Sequence, residues 1–138
     1  MKRCDEVITV FNARVDPATR GDVWTPTVIR GASWHGAEAA RVDAARGGLA
    51  AAGGCVIRIP AEADAGGREY ARPAAYDADP AGRWTLRHGD VIARGEFPGE
   101  GRTPAALRAE GIECATVIAV TDNRGAGRGK HWKVGGKF

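Results

Sequence analysis

The chain has 138 residues and a mass of 14.5 kDa, which is enough for one domain with a hydrophobic core but small for an enzyme that carries its own cofactor domain. It holds 20 basic and 17 acidic residues, and the net charge of +3 is compatible with nucleic-acid contact without being diagnostic of it. No apolar run approaches the roughly 18 residues that a transmembrane helix needs, and segment 1–11 lacks the apolar stretch of a signal peptide, so we expect a soluble protein made in the cytoplasm.

The first half of the chain predicts three strands. Residues 6–12 are rich in β-branched and aromatic side chains, and a turn at Asp16-Pro17 ends them. Residues 23–35 form a second strand, which Pro26 places at an edge or a bulge because proline cannot donate to a ladder. Its alternation predicts one face of Val28, Arg30, Ala32 and Trp34, and an opposite face of Thr27, Ile29, Gly31 and Ser33. Residues 55–60 predict a further strand that buries Cys55, Ile57 and Ile59.

Two stretches around that third strand lack a clear pattern. Residues 38–43 suit either another strand or a short helix, and residues 45–54 suit a mobile loop because they are mostly glycine and alanine. Residues 61–82 are rich in Ala, Asp, Gly and Pro, with Tyr70 and Tyr76 as the large anchors. A patternless segment of that length is usually functional or becomes ordered against a partner.

The next part predicts a hairpin and a helix. Residues 83–86 and 90–96 read as two strands around a tight turn at His88-Gly89. Thr103 and Pro104 then open a short connector helix, with the threonine as cap and the proline at the first helical position. Leu107 points inward from this helix and Gly111 ends it.

The carboxyl-terminal region predicts a second hairpin with a basic tip. Residues 112–121 alternate at strand spacing, and 131–134 resume the alternation with Trp132 and Val134 on one face. Residues 122–138 hold five basic side chains and one acidic one. The glycines at 125, 127 and 129 with Lys130 do not have P-loop spacing, since Arg124 stands where the first glycine of that motif belongs. This segment is therefore a flexible turn whose charge either keeps it solvated or contacts a partner.

Residues with chemical potential are scattered. The cysteines at 4, 55 and 114 and the histidines at 35, 88 and 131 have no spacing typical of a zinc site or a disulfide framework. Ser33 lacks the second glycine of a nucleophile elbow, and Asp77 and Asp79 fit local turn capping. We therefore predict no catalytic residue, no metal and no cofactor, and a protein that is not an enzyme.

These elements together predict a single domain over residues 1–138. The fold class is all-β, a small β-barrel or sandwich with one short connector helix and long loops. The four tryptophans, at 24, 34, 84 and 132, lie in or beside strands, so we expect them to pack in the core.

Several short sequence segments, in their order along the chain, resemble those of a family of small proteins of tailed bacteriophages and prophages. These segments are TVFN at 9–12, WTPTVIRGASW at 24–34, IRIP at 57–60, GDVIARGE at 89–96, TVIAVTDNR at 116–124 and HWKVGGK at 131–137. The resemblance implies a virion protein similar to head-completion, stopper or head-tail joining proteins, which are small β-barrels that form rings around the DNA channel. It implies no catalytic residue.

Under that resemblance the expected partners are copies of the chain itself, in a cyclic hexamer or dodecamer, with portal or adaptor proteins on one side and tail proteins on the other. The expected location is the virion neck, without a membrane. Loops 36–54, 61–82 and 122–130 would order against neighbours. Arg124, Arg128 and Lys130 are the candidate contacts to a subunit or to packaged DNA. Two alternatives are a nucleic-acid-binding barrel of OB type, with tryptophans that stack on bases, and a tail-terminator or tail-tube ring subunit.

Overall fold

The structure is a computed structural model, and it describes residues 5–15, 17–36, 54–99, 101–125 and 127–138. The predictions for 38–43 and for almost all of 45–54 lie outside these residues. The described elements are, in order, β1 (Glu6–Val15), β2 (Asp22–His35), β3 (Gly54–Pro60), β4 (Glu69–Tyr70), α1 (Pro73–Ala78), β5 (Arg83–Trp84), β6 (Val91–Arg94), α2 (Pro104–Ala109), β7 (Cys114–Asp122) and β8 (His131–Lys137).

Six strands form one antiparallel sheet that closes on itself in the order β1, β2, β3, β8, β7, β6. The pairing of β1 with β6 completes the ring, and a separate pair of short strands, β4 and β5, runs parallel. The ring is not a regular barrel, because the β2–β3 and β6–β7 ladders have three residue pairs each whereas the β1–β2 ladder has ten. The prediction of a β-rich fold is confirmed. The described residues contain two short helices, whereas the sequence predicted one.

A bulge in β2 changes which side chains face the core. Gly31 has a φ of 95°, and the register to β1 shifts at this point. An extra residue in one strand reverses which of the following side chains face the core. Ile29 and Ala32 are therefore both buried in the core, with Trp34 on the same side as Ala32. The predicted face that joined Val28 to Ala32 is wrong, because the alternation does not run through Gly31.

A second bulge lies in β7. The register to β8 shifts between Val117 and Ala119, so Val117 and Val120 both pack on the core although they are three residues apart. The hairpin of β7 and β8 itself is confirmed, as is the inward face of Trp132 and Val134.

The large core cluster fills the inside of the ring. It contains Cys55, Ile57 and Ile59 of β3, as the alternation predicted. Three of the tryptophans, Trp34, Trp84 and Trp132, are at most 5% exposed and belong to this cluster, which confirms their predicted role. Trp24 is half-buried and packs on a second, smaller cluster.

The segment 61–82 is ordered, contrary to the prediction of an unpacked loop. Pro73 opens α1 without a side-chain cap, and Tyr76 in this helix is completely buried. The predicted hairpin of 83–86 with 90–96 is also wrong. The first of these segments contributes Arg83–Trp84, which pairs in parallel with Glu69–Tyr70, and the second pairs with β1 and β7. The turn between them exists, with Gly89 at a φ of 96°.

The predicted connector helix is confirmed as α2. The Thr103 hydroxyl accepts a hydrogen bond from the Ala106 amide at 3.2 Å, Pro104 occupies the first turn and Leu107 is completely buried. Gly111 follows with a φ of 87°, a conformation that favours glycine at the end of a helix.

The hairpin of β1 and β2 extends past the ring, and we call its described residues 13–15 and 17–24 the β1–β2 arm. In the described structure β1 pairs with β6 only from Ile8 to Phe11, and β2 pairs with β3 only from Ser33. The arm is therefore a two-stranded ribbon. It carries Val15 and Val23, which are 64% and 48% exposed. Among the described helices none is long and apolar enough to cross a bilayer.

Candidate functional site

The hairpin of β7 and β8 holds the three predicted contact residues. Arg124 lies just after β7, and its guanidinium binds the Asp122 carboxylate through two hydrogen bonds of 2.7 and 2.9 Å. These bonds hold the pKa of Asp122 at about 2. The same guanidinium lies over the rings of Tyr70 and Trp132, at 4.8 and 4.9 Å from their centroids. Arg124 is thus engaged within its own chain.

Arg128 and Lys130 remain exposed at the tip. The tip is fixed at its base, because the Lys130 carbonyl accepts a hydrogen bond from the Ala61 amide at 2.9 Å and the Asn123 amide donates to the His131 carbonyl at 2.9 Å. The structure therefore separates the predicted set: two cations point to solvent and the third stabilises the hairpin.

An aromatic cluster lies under Arg124. Tyr70 and Trp132 have ring centroids 4.6 Å apart, and Trp84 is 5.2 Å from each of them. Burial raises the pKa of Tyr70 above its ordinary value. A recess of about 370 Å³ opens beside the cluster, with Arg68 and Glu69 also on its rim. Because Arg124 covers the exposed ring faces, the aromatic cluster acts as core rather than as an open stacking platform.

A buried polar network fixes the base of the β1–β2 arm. The Asp90 carboxylate accepts hydrogen bonds from the Asn12 side-chain amide at 2.8 Å and from the Ala13 amide at 3.0 Å. The Asn12 side chain also exchanges two hydrogen bonds with the backbone of Thr85, at 2.7 and 3.2 Å. Asp90 is 1% exposed, and burial raises the pKa of its carboxyl although the N–H groups of Ala13 and Asn12 oppose that shift.

Sequence reasoning missed this network. One signal was available: Asn12 is a polar residue inside an otherwise apolar strand, and Asp90 directly precedes the apolar run of β6. Buried polar side chains of this kind nearly always have partners. The partners are 78 positions apart in sequence, so no local pattern could pair them.

Arg87 links the arm to α1. Its guanidinium binds Asp77 through hydrogen bonds of 2.8 and 2.9 Å and donates to the Ala13 carbonyl at 3.1 Å. The Arg87 guanidinium lowers the pKa of Asp77. Asp77 was predicted to cap a local turn and instead forms this ion pair, whereas Asp79 does accept locally, from the Ala81 amide. A recess of about 410 Å³ lies between the arm and this ion pair.

The other side chains that could act as nucleophiles, those of Cys55, Cys114 and Ser33, are buried. Burial raises the pKa of Cys55 to about 12 and also raises that of Cys114, which keeps both thiols protonated at neutral pH. The Ser33 hydroxyl is buried and makes no hydrogen bond to another described residue. Within the described residues, no cluster of three or more His, Cys, Asp or Glu side chains could hold a metal ion.

The geometry defines a small β-rich protein with a six-stranded closed sheet, a projecting two-stranded arm and a basic hairpin tip. Residues 3–137 match the model of a family of unknown function (DUF6751), and the chain belongs to that family. No curated protein and no solved structure matches the chain.

Replacing Arg124 with Gln should leave the fold stable. The side chains of Asp122 and Arg124 are 39% and 35% exposed, so their ion pair, together with the contact of the guanidinium to two rings, should contribute only about 1 kcal/mol. The measurable change should be in Asp122, whose pKa should rise towards its ordinary value of 3.8 when the guanidinium is removed. Titration of the Asp122 side-chain carbon resonance by NMR tests this, with R128Q as the control that leaves the pKa at about 2. An unchanged pKa in R124Q would contradict the assigned cause.

Proposed function

We propose that the chain is a structural subunit of the head-to-tail connector of a tailed bacteriophage, a stopper or head-completion protein that assembles as a ring between portal or adaptor and tail proteins. The observation that carries the proposal is the β1–β2 arm. The closed sheet supports it, and it presents one exposed valine on each of its two faces, since Val15 is paired with Asp22 and Val23 with Arg14. Insertion of the arm into a groove of a neighbouring chain would remove both valines from water, which favours such a contact.

The difference between the two faces of the arm supports a head-to-tail contact. Its two faces differ, because one borders the recess beside Arg87 and the other borders a recess of about 220 Å³ lined by Trp24 and Arg102. An arm that reaches a different surface of the next copy forms a heterologous interface, and such an interface closes into a ring when its rotation closes. Asp90 and Arg87 fix the direction in which the arm leaves the body.

The sequence also predicted two alternative functions. A tail-terminator or tail-tube subunit would use the same arm and differ in its position along the particle. A nucleic-acid-binding barrel that stacks bases on tryptophans has less support, because three tryptophans are buried and Arg124 covers the edge of their cluster. Arg128 and Lys130 fit contact with a subunit or with the passing genome in either ring.

The arm can be tested by replacing both exposed valines with aspartate in V15D/V23D. We expect the purified protein to form closed oligomers as its concentration rises and the variant to stay monomeric, since two charges would have to be buried in the contact. Native mass spectrometry over a concentration series measures this. The variant A61D/A81D adds the same charge at two exposed sites outside the arm and should assemble normally.

An unchanged distribution of oligomers in V15D/V23D would contradict the role of the arm. A monomer at every concentration in the unmodified protein would contradict self-assembly. Both variants should keep the melting temperature of the parent, because the substituted side chains are exposed.

A further inference from the structure

A row of polar side chains crosses four strands on the outer face of the sheet. Ser33 of β2 pairs with Arg58 of β3, Arg58 pairs with Lys133 of β8, and Lys133 pairs with Thr121 of β7. Residues directly opposite each other on antiparallel strands point to the same side of a sheet, with Cβ atoms about 5 Å apart. The row therefore places two cations next to each other with a hydroxyl at each end.

The side chains of Arg58 and Lys133 point away from the core, because their neighbours along each strand lie in it. Ile57 and Ile59 flank Arg58 and both lie in the core, so Arg58 points outward. Trp132 and Val134 do the same for Lys133. Arg58 and Lys133 are partly exposed, and the hydroxyl of Ser33 is buried without a hydrogen-bond partner.

Among the described residues no carboxylate forms an ion pair with Arg58. The row lacks an acidic partner of its own at Arg58.

The positive charge continues from the row to the hairpin tip. Lys133 lies three residues beyond Lys130, and Arg128 is two residues before Lys130. Together with Arg58 these four cations form a strip, which we call the β3–β8 cationic strip. A strip of this kind recognises the regularly spaced phosphates of a nucleic acid.

The ring beside Lys133 on this face is the imidazole of His131, whose two nitrogens contact the Gly129 carbonyl and the Asn123 side chain, and the described residues add no exposed indole or phenyl ring to the strip. Its one neighbouring indole, that of Trp132, points into the core and is 4% exposed. Binding of single strands by such barrels relies on exposed aromatic side chains, whereas contact to the backbone of a duplex needs only cations and hydrogen-bond donors. The geometry favours the backbone of a duplex.

We propose that the β3–β8 cationic strip binds the sugar–phosphate backbone of duplex DNA, independently of sequence. Arg58 and Lys133 contact phosphates on the sheet, and Arg128 and Lys130 contact them from the tip. This inference rests on the proposed connector only for the source of the duplex, which is the genome that passes through the ring. It moves the predicted DNA contact from Arg124 to Arg58.

The test is fluorescence anisotropy of a labelled random-sequence duplex, titrated with the full chain at several salt concentrations. The unmodified protein should bind with an affinity that falls steeply with salt. R58Q/K133Q should bind about tenfold more weakly, and the slope of log affinity against log salt should decrease by about one for each lost phosphate contact. R68Q/R102Q removes the same charge elsewhere on the surface and should bind like the parent.

Equal binding by R58Q/K133Q and R68Q/R102Q would overturn the proposal, as would a lack of binding by the unmodified protein. Displacement of the duplex by inorganic phosphate, beyond the effect of chloride at equal ionic strength, would reveal a small-anion pocket and would also overturn it. Circular dichroism melts establish that both variants fold. If the protein assembles, V15D/V23D prevents assembly and DNA binding is absent, this inference alone is contradicted. If DNA binding is intact in a protein that never assembles, the ring alone is contradicted.

Discussion

Replacing Asp90 with Ala should destabilise the protein by about 3 kcal/mol. Asp90 is 1% exposed, and its carboxylate accepts hydrogen bonds from the Asn12 side chain and the Ala13 amide. Hydrogen bonds to a charged acceptor contribute about 1.5 to 3 kcal/mol each, and a donor left buried without a partner carries a further cost. Urea unfolding followed by circular dichroism measures the loss.

Asp79 provides a matched control for that substitution. It is an exposed aspartate whose carboxylate accepts one local hydrogen bond, from the Ala81 amide at 3.3 Å. D79A should change the free energy of unfolding by less than about 0.5 kcal/mol. A D90A variant as stable as D79A would show that the network does not fix the base of the arm.

The same carboxyl makes a pH-dependent contribution that D90N isolates. Burial raises the pKa of Asp90 in the folded chain above 3.8, so the folded chain keeps a proton there that the unfolded chain has already released. This contribution to stability is complete below pH 3.8, and it is lost as the pH rises through the raised pKa of Asp90 in the folded chain. The stability of the parent relative to D90N should therefore fall as the pH increases across that range. A relative stability that rises over the same interval in urea unfolding would contradict the raised pKa.

Trp132→Ala should have the largest effect of any single substitution in the sheet, a loss of about 4 kcal/mol. The indole is 4% exposed and packs against Tyr70 and Trp84, so its removal leaves a large cavity and breaks up the aromatic cluster. It also removes one of the two rings beneath Arg124. Thermal and urea unfolding monitored by far-ultraviolet circular dichroism measure the change without relying on tryptophan fluorescence.

Trp24→Ala is the comparison for that prediction. Trp24 is half-buried at the edge of the smaller cluster, so its removal exposes less surface and creates less cavity. W24A should lose less than half as much stability as W132A. If W24A were the more damaging of the two, the barrel interior would not be the main source of stability.

The sequence was sufficient to predict the elements that depend on local pattern. The strands at 6–15, 54–60 and 114–122 follow from β-branched alternation, and α2 follows from the Thr103-Pro104 start and the Gly111 end. Each of these signals lies within about ten residues, the range over which period and capping can be read directly.

The errors arose where one residue or a distant contact decides the structure. The bulges at Gly31 and after Val117 add a single residue and turn the rest of the strand over, which alternation alone cannot reveal. The helix at Pro73–Ala78 is six residues long and has no side-chain cap, so its stability comes from burial of Tyr76.

The candidate site was predicted in part. Its basic composition was visible in the sequence, but the separation of Arg124 from Arg128 and Lys130 depends on the local pair with Asp122 and on Tyr70, which reaches the hairpin from a distant strand. The role of Arg58 depends on the register of β3 with β8, which no local pattern specifies. Long-range pairing therefore determines which cations are available to a partner.

Cryo-electron microscopy of tailed particles produced from the genome that encodes this chain tests the proposed function most directly. The connector proposal predicts a ring of copies at the neck, with each β1–β2 arm seated on the neighbouring subunit and the β3–β8 cationic strip facing the channel. Density for the chain elsewhere in the particle, or particles that lack it, would contradict the proposal.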